Sequence, residues 1–370
     1  MEIMWSVGSI PMHFRHFFFA IFAAMKALEL VAPSTFELVD KPVPQPAGNE
    51  VLIRVKACGI CGSDIHGANG SSGRRIPPIV MGHEAAGIVE SVGKDVSDLK
   101  DGDRVTFDST VFCNDCQFCN SGKTNLCDSR QVMGVSCGEF RRHGAYAEFV
   151  SVPAHIVHPL PDKVSFDHAA FTEPVSVAVH AVNRANITAG ESAVVVGSGL
   201  IGLLVVQAAK KVGCSTIVAV DLVSERLDMA TKLGATHAMM ATDEDVAEKI
   251  HQVCDGRGAD HAFEVVGATA PVGLAIDSLR KGGTCVLVGN ITADVNFPLQ
   301  KVVTRELNVL GSCALLSSEI LEALAAIADG SIDVEPLISE RISLEQAGDW
   351  FGKLESGEIN CMKVLVCPEL

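Results

Sequence analysis

A glycine-rich turn between a predicted strand and a predicted helix constrains the fold of this chain more than any other feature. The apolar run at 192–197 reads SAVVVG, the turn at 197–202 reads GSGLIG, and a helical pattern follows. In such a turn the first glycine permits a tight bend, the second lets the backbone approach a pyrophosphate, and the third lets the helix pack closely. Free N–H groups at the helix amino end favour an anion there. We therefore predict a dinucleotide site that contains Gly197, Gly199, Leu200, Ile201 and Gly202.

The segments around this turn predict a parallel sheet and indicate which cofactor it binds. From residue 192 onward apolar strands alternate with helical segments, which indicates βαβ units. The second strand ends at Asp221, at the right distance for a carboxylate that accepts both ribose hydroxyls of the adenosine half. Such a carboxylate repels a 2′-phosphate, so we expect NAD rather than NADP. Arg226 is placed to lie over the adenine or ribose, and the alternative role for Asp221 is a helix cap.

Four closely spaced cysteines predict a metal site of the closed kind. Cys113, Cys116, Cys119 and Cys127 have the spacing C-x2-C-x2-C-x7-C. Four thiolates at such spacing can surround one tetrahedral zinc ion and leave no position open, which is typical of a structural site. A redox dithiol pair is the alternative. Thirteen cysteines scattered over 370 residues fit metal binding in a reducing compartment better than a disulfide scaffold, so we expect a cytoplasmic protein.

Patterning along the rest of the chain predicts a two-domain α/β protein. Short alternating strands broken by proline and glycine fill the part before the cysteines and resume after them, and the last strand-like segment is expected to return to this first domain. We assign 25–170 and 315–370 to a β-rich domain with a zinc lobe at 108–130, and 171–314 to the dinucleotide-binding domain. Residues 1–24 are interpreted as an extension outside the fold, because their apolar run is too short to span a bilayer and only weakly resembles a signal-peptide core.

Two further motifs complete a set that points to a known family. Residues 59–66 read GICGSDIH, and 82–84 read GHE. With the four-cysteine loop and the glycine-rich turn in this order, the chain from about Met25 onward resembles the zinc-containing medium-chain alcohol dehydrogenase family. Residues 173–180, EPVSVAVH, are similar to the E-P-x-x-V-x-x-H stretch of its polyol (sorbitol), butanediol and threonine dehydrogenase branch. Ethanol-type enzymes carry a cysteine ligand at the equivalent place.

This resemblance implies a fold and a catalytic centre. The fold is a GroES-like β-rich catalytic domain joined to a Rossmann doubly wound parallel sheet. Cys61 and His83 would hold a catalytic zinc with Glu84 as third protein ligand, while Glu173 would bind directly or through the metal's water. Which of the two glutamates is the closer ligand is left open. Ser63 would pass the alcohol proton onward through cofactor ribose hydroxyls, and His66 would be the exit of that relay. The expected cofactors are two zinc ions per chain, one catalytic and one structural, together with NAD.

The chain also departs from its branch at the predicted substrate site. Sorbitol-type enzymes have an aromatic residue after the relay histidine, where this chain has Gly67, and an Arg-Tyr pair where it has Ala314-Leu315. A site without these polar partners should not favour a polyhydroxylated substrate, so sorbitol itself is a poor candidate. A smaller diol, an amino alcohol and another secondary alcohol fit the site equally well. The leading hypothesis is hydride transfer from such an alcohol (polyol, diol or amino alcohol) to NAD+, giving a ketone.

Two alternative functions are considered beside this leading hypothesis. An L-threonine 3-dehydrogenase-like activity is one, although that branch usually has threonine where Ser63 stands. The other is a non-catalytic NAD(H)-binding protein on the same scaffold, whose relatives generally lack the residues that match Cys61 and His83.

The charge of the chain excludes some partners. Lysine plus arginine numbers 29 against 45 aspartate plus glutamate, a net charge of −16 without a basic run. An acidic surface of this kind disfavours nucleic acid. We expect a small-molecule alcohol as substrate, no nucleic acid and no membrane, and the family implies a homodimer or homotetramer.

Overall fold

The computed structural model describes residues 24–137, 140–359 and 361–370. The predicted extension at 1–24 therefore lies outside the described residues, apart from Ala24, which begins the first strand. No helix within the described residues is both long and apolar enough to cross a bilayer.

The first part of the chain folds into short strands with few helices. Its strands are β1 (Ala24–Ala32), β2 (Thr35–Pro42), β3 (Glu50–Gly59), β4 (Ile79–Val80), β5 (Glu84–Val92), β6 (Arg104–Phe107), β7 (Thr110–Val111), β8 (Gln131–Val132), β9 (Ser136–Cys137), β10 (Phe140–Arg141), β11 (Phe149–Pro153) and β12 (Val157–Pro159). Its helices are α1 (Gly62–Ala68), α2 (Gln117–Asn120) and α3 (Phe166–Ala169), with 3-10 turns at Thr124–Leu126 and Ala154–Ile156. In β3 the side chains of Val51, Ile53, Val55 and Ala57 are buried at every second position, as expected of a strand that faces a core.

The second part alternates strands and helices as predicted. Its elements are α4 (Thr172–Ala185), β13 (Ser192–Val196), α5 (Leu200–Lys211), β14 (Thr216–Asp221), α6 (Ser224–Leu233), β15 (His237–Met240), α7 (Val246–Val253), β16 (Ala259–Glu264), α8 (Thr269–Ser278), β17 (Leu279–Leu287), α9 (Leu299–Thr304) and β18 (Asn308–Gly311). The six strands form a parallel sheet in the order β15-β14-β13-β16-β17-β18. Strand order reverses between β13 and β16, the point at which open α/β sheets bind ligands.

The carboxyl-terminal tail returns to the first domain. It contains α10 (Glu319–Asp329), a 3-10 turn at Glu335–Leu337, β19 (Ile338–Ile342), α11 (Leu344–Ser356) and β20 (Lys363–Val366). Strand β20 pairs antiparallel with β3 and parallel with β19, which extends the first-domain sheet to seven strands in the order β12-β6-β5-β3-β20-β19, with β11 also paired to β3. The predicted return of the tail, and with it the fold class, is confirmed.

One hydrophobic core joins the two domains. Helices α4, α5 and α10 pack together, and buried Ala57, Ala86 and Leu365 of the first-domain sheet belong to the same apolar cluster. A second cluster fills the first domain, and a third covers the other face of the parallel sheet. Ile60 and Cys61, which follow β3, line one cavity together with 199–202 at the amino end of α5. The domain boundaries predicted from the sequence stay a prediction.

Candidate active site and metal centres

A thiol, an imidazole and a carboxylate converge where β3 ends and β5 begins. The register of these antiparallel strands places Gly59 opposite Glu84, so the chain that leaves β3 through Cys61 runs beside His83. The ligand atoms of Cys61, His83 and Glu84 all lie within 4.8 Å of one another. A thiolate, an imidazole and a carboxylate form a mixed donor set that suits zinc and leaves a fourth position open.

Two glycines make room for this group. A Cβ on Gly59 would lie 2.2 Å from Glu84 Oε2, so only glycine lets the carboxylate pack against β3. Gly82 has φ of +96°, and a Cβ there would lie 2.8 Å from the Tyr146 ring and 2.9 Å from Cys58 Sγ. Both glycines therefore belong to the construction of the site, since a side chain at either would push the strands apart.

Glu84 has a buried counter-ion supplied by the carboxyl-terminal tail. Lys363 Nζ lies 2.5 Å from Glu84 Oε2 and 3.1 Å from the Ile60 carbonyl oxygen, and the two side chains are 2% and 1% exposed. Burial acts to lower the pKa of Lys363, but the charge of Glu84 outweighs it and the pKa is raised. Lys363 thus contacts Oε2 of Glu84, and Oε1 remains for a metal.

Asp64 orients the imidazole of His83 from behind. Its carboxylate is completely buried, and Oδ1 lies 3.4 Å from His83 Nδ1 and accepts a hydrogen bond of 2.9 Å from Arg75 Nη2. The Tyr146 hydroxyl lies 2.8 Å from Asp64 Oδ2. Burial acts to raise the pKa of Asp64, but His83 and Arg75 hold it well below its usual range. A carboxylate behind a histidine in this way is the usual support of a metal ligand.

The proposed relay residues and Glu173 line one cavity next to this group. Ser63 Oγ donates to Cys61 Sγ at 3.3 Å, and His66 lies exposed on the same short helix. Glu173, in the first turn of α4, accepts a hydrogen bond of 3.0 Å from Ser109 Oγ. Burial raises the pKa of Glu173, with Glu84 adding to the rise and His83 opposing it. The cavity has a volume of about 540 Å³, in the range of small-molecule sites.

The glycine-rich turn lies on the other side of the group. A second cavity of about 310 Å³ is lined by Cys61, Glu84 and Lys363 together with 199–202. Helix α5 begins directly after Gly199, and a Cβ on Gly202 would lie 1.8 Å from the Gly197 carbonyl oxygen. This close approach explains the last glycine of the pattern.

Asp221 lies at the end of β14 beside this turn, as predicted. Its carboxylate accepts hydrogen bonds from the Ser198 N–H at 2.6 Å and the Val223 N–H at 3.0 Å, and Arg226 Nη1 lies 3.9 Å from Oδ1. Helix α6 begins with Val223 as its cap residue, so Asp221 is not the helix cap in the strict sense.

The four-cysteine loop forms a separate group on the surface. The Sγ atoms of Cys113, Cys116, Cys119 and Cys127 lie within 4.8 Å of one another. Backbone N–H groups point at the sulfurs: Cys116 N lies 3.4 Å from Cys113 Sγ, and Cys119 N lies 3.5 Å from Cys116 Sγ. The latter N–H lowers the pKa of Cys116 to about 6, whereas burial raises the pKa of Cys119 to about 12. Four sulfurs with this geometry fit a tetrahedral zinc ion that displaces the remaining thiol protons.

Comparison with known proteins agrees with this geometry. The Alcohol dehydrogenase GroES-like domain family matches residues 47–162, and the Zinc-binding dehydrogenase family matches residues 201–329. Sorbitol dehydrogenase of Bacillus subtilis is 34% identical over 93% of this chain and 97% of its own length.

The chain belongs to the zinc-containing medium-chain alcohol dehydrogenase family.

Two further relatives match this dehydrogenase along nearly their full length. Probable D-xylulose reductase A of Emericella nidulans is 35% identical over 86% of this chain and 90% of its own. The crystal structure of 2R,3R-butanediol dehydrogenase from Bacillus subtilis covers 93% of this chain and 99% of its own, with 31% identity and a TM-score of 0.84. The family and branch predicted from the order of the motifs are therefore confirmed, and so is the enzyme class: the protein is an NAD-dependent, zinc-dependent alcohol dehydrogenase.

The structure divides the predicted ligands of the dehydrogenase into two sets. Cys61, His83 and Glu84 come together, while Glu173 lies on the cavity wall outside their close group. His180, which ends the branch motif, is in neither metal group: its Nδ1 lies 3.1 Å from Glu319 Oε1, and its Nε2 lies 3.4 Å from Asn125 Nδ2. His180 thus links α10 and the four-cysteine lobe rather than holding a metal.

Sequence reasoning assigned no role to three residues that support the dehydrogenase site. Asp64 lies inside the quoted GICGSDIH motif, and its place one position after Ser63 was the available signal. Arg75 and Lys363 carried no such signal, because each is a single basic residue whose partner is remote in the sequence. Strand β20 pairs with β3 next to β5, which brings Lys363 to Glu84, and only the tertiary fold brings Asp64 and Arg75 to His83.

Proposed function

We propose that this dehydrogenase oxidises a secondary alcohol to a ketone and transfers the hydride to NAD+. The observation that carries the proposal is the position of the Cys61–His83–Glu84 group between two cavities. One cavity contains Ser63 and Glu173, and the other contains the glycine-rich turn. Hydride transfer requires an alcohol carbon beside both a metal and a nicotinamide, and this arrangement suits that requirement.

Cys61, His83 and Glu84 would hold the catalytic zinc, with Glu173 as a direct or water-mediated partner. The close grouping of the first three supports Glu84 as the third ligand. When bound, zinc supplies Lewis acidity that lowers the pKa of a coordinated hydroxyl, as it lowers that of water from about 15.7 to about 7. Asp64 orients the imidazole of His83, and Lys363 pairs with Glu84 and holds its carboxylate group in place. Cys113, Cys116, Cys119 and Cys127 would hold the structural zinc.

The proton of the substrate is handled by the first helix of the site. Ser63 Oγ now donates to Cys61 Sγ, and it lines the cavity on the metal side, so it is placed to take the hydroxyl proton. His66 stands one turn later and is exposed, which suits the release of that proton to solvent. We assign NAD binding to Gly197, Gly199, Leu200, Ile201 and Gly202, with Asp221 and Arg226 at the adenosine ribose.

Two further proposals concern the oligomeric state and the cellular location of the protein. Strand β18 lies at the edge of the parallel sheet, and Leu299 and Val303 of the neighbouring helix are 64% and 65% exposed. An open edge beside exposed apolar residues supports a homodimer or homotetramer, which light scattering would test. The twelve cysteines whose side chains the structure describes are free thiols, which supports a cytoplasmic location.

The proposed function is tested by metal analysis and a substrate panel. We expect about two zinc ions per chain, and NAD-dependent oxidation of at least one secondary alcohol among xylitol, sorbitol, galactitol, butane-2,3-diol and threonine, followed by the absorbance of the reduced cofactor. The names of the relatives support polyols and diols, while Ala314 at the cavity wall supports a substrate other than sorbitol. A protein without zinc, or one that binds NAD and oxidises neither these alcohols nor their carboxylate or phosphate derivatives, would contradict the proposal.

A further inference from the structure

The cavity on the substrate side carries more positive charge than a site for a neutral alcohol requires. Three arginines line it, Arg74, Arg75 and Arg130, and Ser71 and Ser72 lie beside the first two. This concentration runs against the rest of the chain, whose net charge is −16. Arginines gathered in one cleft of an acidic protein attract and retain an anion.

Only one of the three arginines is neutralised by a carboxylate. Arg75 is 4% exposed and is paired with Asp64 behind the metal group. Within the described residues neither Arg74 nor Arg130 forms an ion pair; the hydrogen bonds of Arg130 go to a carbonyl oxygen and a thiol. Two guanidinium charges therefore stand free at the wall of the cavity.

Arg130 is held in place although its charge is free. Its Nη1 donates to the Asn125 carbonyl oxygen at 2.9 Å and lies 3.3 Å from Cys313 Sγ. One contact ties it to the four-cysteine lobe, and the other to the segment after β18. A guanidinium has five N–H donors, so the remaining donors can bind a planar anion in a bidentate manner.

The acidic groups near Arg130 do not cancel its charge. Asp108 is completely buried, its Oδ1 accepts a hydrogen bond from the Thr110 N–H at 2.8 Å, and burial raises its pKa to about 7 even though Arg130 acts in the opposite direction. Glu173 is engaged with Ser109 on the metal side. Arg130 is therefore left with a partner still to be supplied from the cavity.

Arg130 shares the cavity wall with Ala314. Ala314 lines the same cavity, directly after Cys313, where the branch has its arginine–tyrosine pair. In this chain a guanidinium reaches that wall from the four-cysteine lobe instead. A neutral substrate that covered it would desolvate an unpaired charge, whereas an anionic substrate would pair with it.

We propose that the substrate is a secondary alcohol that also carries a carboxylate or a phosphate, and that Arg130 and Arg74 bind this anionic group. The inference rests on the proposed function and narrows it to a class of substrate. The reaction is unchanged: the C–H hydride goes to NAD+, the hydroxyl proton is released, and the anionic group is neither made nor broken. Arg130 thereby becomes a specificity-determining residue.

Turnover of a matched series tests the proposal. The zinc-loaded enzyme with NAD+ is given a hexitol, the corresponding hexonate and the hexitol phosphate. We expect one anionic member to exceed the neutral one in kcat/KM by roughly 10- to 100-fold, the value of one or two charged hydrogen bonds. The anionic compound with the higher kcat/KM shows whether the site prefers a carboxylate or a phosphate. Arg130→Gln and Arg74→Gln should remove the preference through KM, and Arg130→Lys should restore part of it.

A binding measurement keeps the test independent of turnover. Calorimetry of the zinc-loaded enzyme with NADH and the same three compounds should show tighter binding of an anionic member, weakened by salt and by Arg130→Gln. Arg257→Gln, an exposed arginine outside the cavity, serves as control and should change nothing. Melting temperature and zinc content verify that the variants are folded, and exposed Arg74 gives a second variant with little structural risk.

The outcomes separate the two proposals. If the enzyme oxidises neutral alcohols and neither binds nor prefers anionic ones, the proposed substrate class is wrong. The proposed dehydrogenase function is then still supported. If anions bind in a way that depends on Arg130 but no alcohol is oxidised, the proposed function is wrong and the anion site is supported. Unchanged selectivity and affinity in both arginine variants would also overturn the substrate class.

Discussion

The two cysteine-containing groups of this dehydrogenase use similar ligands in opposite settings. Cys113, Cys116, Cys119 and Cys127 come from one short, exposed loop, whereas Cys61, His83 and Glu84 are brought together by α1 and β5 beneath the dinucleotide turn. The loop group is surrounded by its own backbone N–H groups. The buried group is surrounded by charged side chains, Asp64 and Lys363 among them.

The difference shows what separates a structural metal site from a catalytic one. Four thiolates fill a tetrahedron and need only local support, so such a loop can be built from adjacent residues. A site with an open position needs charges that hold its ligands and tune them, and these must come from elsewhere in the fold. The following experiments challenge this division, beginning with the largest expected effect.

Cys61→Ser should abolish catalysis and leave the zinc of the four-cysteine loop in place. Loss of a metal that contributes several kcal/mol should lower kcat by roughly 1,000-fold or more, measured by the absorbance of reduced cofactor, and about one zinc per chain should remain. Cys214→Ser, a half-buried thiol outside both groups, is the matched control and should keep two zinc ions and full activity. Full activity of Cys61→Ser after loss of one zinc would contradict the division.

Lys363→Met should destabilise the fold, because it removes the buried partner of Glu84. It leaves the Glu84 carboxylate buried without its counter-ion, which should lower the free energy of unfolding by about 3–5 kcal/mol in chemical denaturation. Lys301→Met breaks an exposed pair with Asp277 and should cost about 0–1 kcal/mol. Equal effects of the two variants would show that the buried pair does not support the site.

Asp64→Asn should loosen the catalytic zinc without removing a ligand. The amide still fits beside His83 but carries no charge, so zinc affinity should fall by about 10- to 100-fold in a chelator competition, with activity falling alongside. Asp98→Asn, at an exposed position, should leave both unchanged. An unaltered zinc affinity in Asp64→Asn would mean that His83 is positioned by the strand alone.

Cys116→Ser should have the smallest effect on hydride transfer. We expect loss of the structural zinc and a melting temperature lower by roughly 5 °C, with kcat within about threefold of the parent enzyme. The lobe contacts the second domain through Asn125, which donates to the Cys313 carbonyl oxygen. A change in oligomer size by light scattering is also expected. If stability and assembly both stayed the same, the loop would not be structural.

Much of the fold and part of the site could be predicted from the sequence. The alternation of strands and helices after residue 192, the glycine-rich turn and the end of β14 at Asp221 are local patterns, and the structure has them where they were expected. The four-cysteine loop was predictable for the same reason. The family resemblance added Cys61, His83 and Glu84 as a set, and the structure places these three together.

The supporting residues could not be predicted in the same way. Lys363 is separated from Glu84 by 279 residues, and their contact exists because β20 pairs with β3 next to β5. Arg130 meets Cys313 across 183 residues, where the four-cysteine lobe docks on the segment after β18. Neither pair has a spacing or periodicity that a sequence pattern could reveal.

The sequence by itself determined the two groups of candidate metal ligands, the place of the glycine-rich turn and the family, because these depend on residues close together or on motifs in a fixed order. Only the tertiary structure decided that Glu84 is paired with Lys363, that Glu173 lines the cavity apart from the close group, and that Arg130 lines the same cavity. The physical reason is that buried charges require partners within hydrogen-bond distance, and the fold rather than the chain order chooses which residues come that close.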